Sequence, residues 1–167
     1  MPTPAYSATL AAAPTGGAAN FDTLRRMREL VRAAKVDPRV MQSAHGIIYT
    51  QPERDELAEA RVLYEYVRDW VRYVRDVHGV ETLAYPYLTL QRGIGDCDDQ
   101  VTLLCSLFEA AGYPTRFVMT GYDGGPFSHV YCQVFAAGQW IDCDPIERAA
   151  VFGWAPPDPT SIFIERV

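Results

Sequence analysis

Hydrophobic residues in the first two thirds of the chain recur every three or four positions, which is the spacing of amphipathic helices. The first such segment follows Asn20, whose side chain is typical of an N-cap, and the second follows residues 50–53, a capping-box pattern. The third covers residues 96–111 and is ended by Gly112 and Pro114. The apolar positions of the three predicted helices are Phe21, Leu24, Met27, Leu30 and Val31; Leu57, Ala60, Leu63, Tyr64, Val67, Trp70, Val71 and Val74; and Val101, Leu104, Cys105, Phe108 and Ala111.

The last third of the chain changes to the alternating pattern that predicts β-strands. Residues 115–122, 128–137 and 138–144 form three such segments, separated by a turn rich in Gly and by Ala137-Gly138. Residues 161–167 are expected to add an edge strand. Helices followed by antiparallel strands predict an α+β domain.

Two segments show no regular period. Residues 1–20 mix Pro, Gly, Thr and Ala and offer too little apolar surface to offset the entropy of ordering, so we expect a flexible N-terminal arm. Residues 79–95 contain Pro86, Gly93 and Gly95 and are expected to form a loop. The chain has 167 residues, enough for one sizeable core, so we expect a single domain over residues 21–167.

Composition narrows the classes of partner. The formal charge is -6 and Lys35 is the only lysine, so the surface would repel nucleic-acid phosphates. There is no run of about 18 apolar residues, the length that a membrane span requires. The N-terminus lacks the basic and continuously apolar regions of a signal peptide. We therefore expect a soluble protein with no nucleic-acid partner and no membrane span.

Cys97 lies at the predicted start of the third helix. A helix N-terminus presents unpaired N–H groups and a partial positive charge, which favour the thiolate that acts as a nucleophile. Its neighbours Asp96, Asp98 and Asp99 oppose the thiolate by Coulomb repulsion, so a reactive Cys97 needs an imidazolium partner. Without such a partner, a cysteine at this position is more often a packing residue.

His129 and Asp144 are expected to meet across a β-hairpin. If Ala137 and Gly138 form a two-residue turn, the following strand folds back so that Asp144 lies opposite Tyr131. Residues on one face of paired strands are in reach of each other, so Asp144 could accept a hydrogen bond from the imidazole of His129. Cys97, His129 and Asp144 are therefore the candidate catalytic residues.

These motifs resemble those of the transglutaminase-like superfamily, which has a Gly-x-Cys at a helix start, a His at a strand start and a Trp-containing strand that ends in Asp-Pro. The corresponding segments here are residues 95–97, 128–130 and 140–145, and the resemblance covers roughly residues 55–150. The string Gly-Asp-Cys-Asp-Asp over residues 95–99 is similar to that of small transglutaminase-like proteins encoded by bacteriophages and prophages.

The resemblance implies a papain-like core with the Cys97 helix packed on an antiparallel sheet. It also implies a thioester mechanism in which Cys97 attacks an amide carbonyl, His129 transfers the proton and Asp144 orients His129. The oxyanion would be bound by the Cys97 N–H, with Gln91 as a candidate side-chain donor because papain-like enzymes place a Gln shortly before their Cys. Phage-type relatives often carry a Gln just ahead of the loop proline, and this chain differs from them in having Ala84 there.

The other candidates have plainer interpretations. Trp140 and Tyr131 could form a wall of the cleft, although aromatic residues of a half-buried sheet more often belong to the core. Cys105, Cys132 and Cys143 are expected to be reduced, buried thiols. No Cys-x-x-Cys pair is present, so we expect no metal, and we expect no cofactor.

Three functions stay open. The leading one is amide-bond chemistry on a protein or peptide, by hydrolysis as a peptidase or amidase, or by transfer to an amine as a transglutaminase. The second is a structural protein that keeps the fold without activity, such as a phage virion or tail component whose N-terminal arm binds assembly partners. The third is a binding module without turnover. The expected location is cytoplasmic or virion-associated.

Overall fold

The computed structural model describes residues 9–12, 17–75 and 80–167, which form five helices and eight strands. No helix within these ranges is long and apolar enough to cross a membrane. In chain order the elements are β1 (Thr9–Ala12), α1 (Gly17–Ala34), α2 (Pro38–Ile48), α3 (Glu56–Trp70), β2 (Arg72–Tyr73), β3 (Val80–Leu83), α4 (Pro86–Arg92), β4 (Ile94–Gly95), α5 (Cys97–Ala110), β5 (Thr115–Gly121), β6 (Phe127–Ala136), β7 (Gln139–Cys143) and β8 (Ser161–Arg166).

Helix α5 is the centre of the fold. Every residue from Asp99 to Phe108 is buried, which is the property of a helix enclosed on all sides. It contacts α1, α2, α3 and α4, and it packs on β5 and β6 of the sheet. The predicted α+β class, with the cysteine-bearing helix packed on an antiparallel sheet, is confirmed.

The main sheet has four antiparallel strands in the order β7-β6-β5-β8. All four strands lie at the positions that the alternating pattern predicts, and β8 is the expected edge strand. The β6–β7 turn places Ala137 and Gly138 at positive φ, as a two-residue hairpin turn requires. Gln133 pairs with Asp142 and Cys132 with Cys143, so the predicted register is correct.

One helix was not predicted, and a second helix starts at a different residue from the one predicted. Helix α2 was not expected, although Asp37 and Pro38 are an N-cap and a first-turn proline, and the Asp37 side chain accepts the Arg39 N–H. Helix α3 starts after Asp55, not at the capping-box pattern of residues 50–53. The Asp55 carboxylate accepts the N–H of Ala58 at 3.0 Å and so caps the helix. Of the apolar positions predicted for this helix, Trp70, its last residue, and Val74, which lies beyond its end, are exposed.

The segment expected to be a loop contains regular structure. Pro86 does not interrupt a helix but lies in the first turn of α4. The backbone N–H groups of a first turn have no acceptor within the helix, so the N–H that proline lacks is not needed there. Gly93 ends α4 in the left-handed conformation. Strand β3 pairs with β1, and β2 pairs in parallel with β4 directly before Cys97.

The N-terminal boundary also differs. Helix α1 begins at Gly17, so Asn20 lies inside the helix and is not its N-cap. The Asn20 side-chain amide instead donates to the carbonyl of Phe127 at 2.7 Å. Residues 1–8 and 13–16 of the expected arm lie outside the described residues. The division into an arm and a domain over residues 21–167 stays a prediction.

Gly95 is required by close packing at the entrance to α5. A Cβ atom at this position would lie 2.7 Å from Asp99 Cβ and 3.2 Å from Thr89 Cγ2. Both neighbours are buried, and a Cβ atom cannot move without its backbone. Gly46, in the last turn of α2, has no atom within 4 Å of the corresponding Cβ position, so a Cβ atom would fit there without a clash.

We expect Gly95→Ala to lower the free energy of unfolding by about 1–3 kcal/mol because of overpacking. The matched variant Gly46→Ala should raise it by about 0.5–1 kcal/mol because alanine loses less backbone entropy in a helix. Urea unfolding followed by circular dichroism measures both. Equal effects of the two substitutions would contradict the packing argument.

Candidate functional site

Cys97 is the first residue of α5 and is half-buried. Asp96 is the N-cap, and its carboxylate accepts the N–H of Asp99 at 3.1 Å. The Cys97 thiol lies 3.5 Å from Asp98 Oδ1, to which it donates. Burial, followed by the charges of Asp98 and Asp96, raises the pKa of the Cys97 thiol well above its usual range. At neutral pH the group is therefore a thiol that needs a base.

The chain that leads into Cys97 is held by two buried polar side chains of α5. Asp99 Oδ1 accepts the N–H of Ala84 at 2.8 Å, which ties the end of β3 to the helix. The Gln100 amide donates to the carbonyl of Gly95 at 3.1 Å. Because these contacts lie within one turn of Cys97, they fix the path of its backbone N–H.

His129 and Asp144 form the pair that the hairpin predicts. His129 Nε2 lies 2.7 Å from Asp144 Oδ2, and the two side chains are 21% and 3% exposed. The second carboxylate oxygen of Asp144 accepts the N–H of Ile146 at 3.0 Å. The Tyr64 hydroxyl donates to the Asp144 carbonyl at 3.1 Å. Asp144 is therefore fixed, and it leaves Nδ1 of His129 to exchange a proton.

Cys97 and His129 line the same cleft, which has a volume of about 240 Å³. Its walls come from α1, from the start of α5, from the first half of β6 with Met119 of β5, and from Arg75. The lining residues are Asn20, Thr23, Leu24, Met27, Arg75, Asp96, Cys97, Asp98, Met119, Phe127, Ser128, His129 and Val130. Asp144 reaches this cleft through its hydrogen bond to His129.

The structure does not bring the other candidates into this cleft. Gln91 is exposed on α4 and is not among the described residues that line the cleft. Trp140 stacks under the guanidinium of Arg116, 4.2 Å from its ring centroid, and lines a separate groove beside β7. Tyr131 is buried, and its ring stacks on that of His129 with the centroids 6.4 Å apart.

The α1 wall is the part of the site that sequence reasoning missed. Asn20, Thr23, Leu24 and Met27 reach the cleft from a helix that is more than 60 residues away along the chain. The only local signal was an N-cap-type residue at Asn20, and it indicated a different role. These four residues line the cleft because α1 packs against elements that are distant in the sequence.

The remaining cysteines are buried free thiols, as predicted. Cys132 and Cys143 are cross-strand partners, and Cys105 faces them from α5. Burial raises the pKa of Cys132 and Cys143 well above the usual thiol range. Within the part of the chain that is described, no group of three or more His, Cys, Asp or Glu side chains could hold a metal ion.

Comparison with known proteins identifies the family of this chain. The family model described as the transglutaminase-like superfamily matches residues 44–145, which include Cys97, His129 and Asp144. The chain belongs to this superfamily. No curated protein sequence matches this transglutaminase-like chain.

Solved structures share the fold at low sequence identity. A "putative protease" of Parabacteroides distasonis superimposes with a TM-score of 0.60 and 11% identity over 77% of this chain. A "putative cysteine protease" of Cytophaga hutchinsonii gives a TM-score of 0.53 and 15% identity over 77% of this chain. The matches cover only 27% and 50% of those proteins, so they show a shared fold within longer chains.

The charge beside Cys97 gives a direct test of the site's electrostatics. We expect Asp98→Asn to lower the pKa of Cys97, because a neighbouring negative charge that destabilises the thiolate is removed. Alkylation of Cys97 by iodoacetamide at pH 8 should then be several-fold faster, as quantified by peptide mapping. Asp123→Asn, in the exposed β5–β6 turn, is the matched control. Equal rates in the two variants would show that Asp98 does not control the thiol.

Proposed function

We propose that this protein is a cysteine acyl-transfer enzyme that acts on amide bonds of a protein or peptide. The observation that carries the proposal is the 2.7 Å contact between His129 and the buried carboxylate of Asp144, on the same cleft as Cys97. Membership of the transglutaminase-like superfamily supports the same chemistry. In this proposal Cys97 is the nucleophile, His129 the general base and acid, and Asp144 the residue that positions His129.

The reaction proceeds in two steps. His129 takes the proton of the Cys97 thiol as sulfur attacks the amide carbonyl, and the resulting imidazolium gives this proton to the leaving amine when the C–N bond breaks. A thioester remains on Cys97. Water or a second amine then attacks the thioester carbonyl and loses a proton to His129. The C–S bond breaks, His129 gives this proton to sulfur, and the acyl product leaves as the thiol is regenerated. Asp144 orients His129 and stabilises the imidazolium in both steps.

The environment of Cys97 determines how the nucleophile is formed. Because burial and two neighbouring acids raise the pKa of the Cys97 thiol, attack by sulfur requires a base, and His129 on the same cleft is the proposed one. Positive charge on His129 in the transition state then offsets the repulsion from Asp96 and Asp98. The Cys97 N–H, at a helix N-terminus, is the favoured oxyanion donor. Gln91, which is exposed on α4, stays a prediction from the family resemblance.

The alternative of an inactive virion or assembly protein, and the similarity to phage-encoded members, stay predictions. An inactive protein needs the fold but not proton transfer at Cys97. The two functions therefore differ in one measurable property, which is acylation of Cys97 that depends on His129.

The decisive experiment treats the protein with a p-nitrophenyl ester and follows acylation of Cys97 by intact mass spectrometry and peptide mapping. We expect a thioester on Cys97 whose rate of formation falls by about 10²–10⁴-fold in His129→Ala, because general-base catalysis is lost. Asp144→Asn should also lower this rate, since the amide keeps the oxygen that accepts the Ile146 N–H but removes the charge. Cys97→Ser should abolish thioester formation.

The chain offers matched controls. His45 is exposed on α2, and Asp123 lies in an exposed turn, so His45→Ala and Asp123→Asn change the same residue types away from the cleft. Both should acylate at the wild-type rate, and thermal melts establish that all variants are folded. If folded His129→Ala acylates as fast as wild type, the proposed enzyme function is wrong.

A further inference from the structure

Large apolar side chains are exposed around the two short strands that precede Cys97. They are Trp70 (52% exposed), Tyr73 (43%), Val74 (44%) and Ile94 (38%). Single exposed apolar residues are ordinary on a protein surface, but these four come together where α3 ends and β2 pairs with β4. With two neighbouring arginines they form what we call the β2–β4 surface, which consists of Trp70, Arg72, Tyr73, Val74, Arg92 and Ile94.

Gly93 lies at the centre of the β2–β4 surface. The Trp70 ring lies against it, because a Cβ atom on Gly93 would be 3.4 Å from Trp70 Nε1. The Trp70 indole N–H donates to the Leu90 carbonyl at 2.9 Å, and the Arg72 N–H donates to the Gly93 carbonyl at 2.8 Å. Arg72 and Ile94 are paired residues of β2 and β4, so their side chains lie on the same face. The backbone contacts therefore give this surface a fixed shape.

The cations of the β2–β4 surface have no acidic partner among the described residues. Arg72 and Arg92 are exposed, as is Arg75, which directly follows this surface. None of the ion pairs among the described residues includes any of these three arginines. Asp69, just before this surface in the chain, is already paired with Arg68. Within the described structure, the surface is thus locally cationic on a chain whose formal charge is -6.

The β2–β4 surface is continuous with the cleft. Tyr73 pairs with Gly95, which lies two residues before Cys97 and so within about 7 Å of it along the backbone. The Val74 N–H donates to the Gly95 carbonyl at 3.1 Å, and Arg75, the next residue, lines the cleft. A polypeptide with an amide bond at Cys97 can therefore extend over this surface.

We propose that the β2–β4 surface binds an acidic segment of the protein or peptide substrate, beside the amide bond on which Cys97 acts. Arginine binds carboxylates through paired N–H donors, and arginine and aromatic residues are enriched at binding surfaces. Carboxylates of the segment contact Arg72 and Arg92, and its apolar side chains contact the exposed rings. This inference rests on the proposed function and adds the substrate class. A nucleic acid is disfavoured because the overall charge of the chain repels phosphates.

The first test measures binding without turnover, on Cys97→Ser protein. Three fluorescein-labelled Gly-Ser peptides each contain two Leu residues and differ in carrying four Glu, four Gln or four Lys residues. Fluorescence anisotropy gives the three dissociation constants. We expect the Glu peptide to bind about fivefold more tightly than the Gln peptide, which is what two exposed ion pairs contribute, and the Lys peptide to bind most weakly. High salt should remove most of this preference by screening the charges.

Matched variants locate the acidic segment on the protein. Arg72→Gln combined with Arg92→Gln should remove the preference for the Glu peptide. Arg32→Gln combined with Arg61→Gln makes the same change of charge at exposed arginines of α1 and α3 and should retain it. Thermal melts establish that all variants are folded.

A second pair of variants tests the apolar part of the surface. Tyr73→Ser should weaken binding of the Glu and Gln peptides alike, because it removes an exposed ring that contacts the Leu residues. Tyr49→Ser, at a tyrosine that is 87% exposed just after α2, is the control and should change neither. Equal effects of the two substitutions would show that Tyr73 does not contact the peptides.

A second experiment tests whether the bound segment lies beside Cys97. The Glu and Gln peptides receive the same iodoacetamide group at one end, and alkylation of Cys97 in the otherwise wild-type chain is followed by peptide mapping. Binding on an adjacent surface raises the effective concentration of the electrophile, so the Glu peptide should react faster. Arg72→Gln combined with Arg92→Gln should abolish this difference between the peptides.

The outcomes separate this inference from the proposed function. If acylation of Cys97 depends on His129 but the Glu and Gln peptides bind equally, the inference is wrong and the enzyme function stands. If acylation fails but the Glu peptide binds through Arg72 and Arg92, the enzyme function is wrong and the binding of acidic segments stands. Tighter binding of a single-stranded oligonucleotide, or a dimer that Tyr73→Ser dissociates in light scattering, would overturn the inference.

Discussion

The burial of α5 on all sides is the constraint on which the rest of the fold depends. Four helices and three strands contact it, and its interior from Asp99 to Phe108 is closed to solvent. Its first turn, where Cys97 lies, reaches the surface at the cleft. Because the helix cannot shift without disturbing the whole core, the position of Cys97 is set by the packing of the entire domain.

Opposing electrostatic influences meet at that first turn. The helix N-terminus favours a negative charge on sulfur, while burial and the adjacent acids oppose it and raise the pKa of Cys97. Asp96 is also the N-cap of α5, so the same residue stabilises the helix and disfavours the thiolate. The residue that stabilises the start of α5 therefore also raises the pKa of the Cys97 thiol, and in the proposed mechanism His129, held by Asp144, takes the proton of this thiol.

The sequence predicts the elements whose signals are local. The β6–β7 hairpin has a two-residue turn with Gly138 and strict alternation on both sides, so its register, and with it the approach of Asp144 to His129, follows from the chain alone. The start of α5 at Cys97 follows equally from Asp96 and the apolar period. Helix α2 and the true start of α3 also have local caps, Asp37 and Asp55, but residues 50–53 form a second capping pattern just before α3.

The helical spacing predicted α1 itself, but no local pattern indicated that α1 would form a wall of the cleft, since the contacts that place it join distant parts of the chain. The Asn20–Phe127 hydrogen bond spans 107 positions and the Arg28–Glu165 ion pair 137. Closing such long loops costs conformational entropy that increases with the length of the loop. A ribosome that has made residues 20–145 has made Cys97, His129 and Asp144 but not β8, one of the two strands that hold α1. The growing chain can attach α1 to both strands only once β8 has emerged.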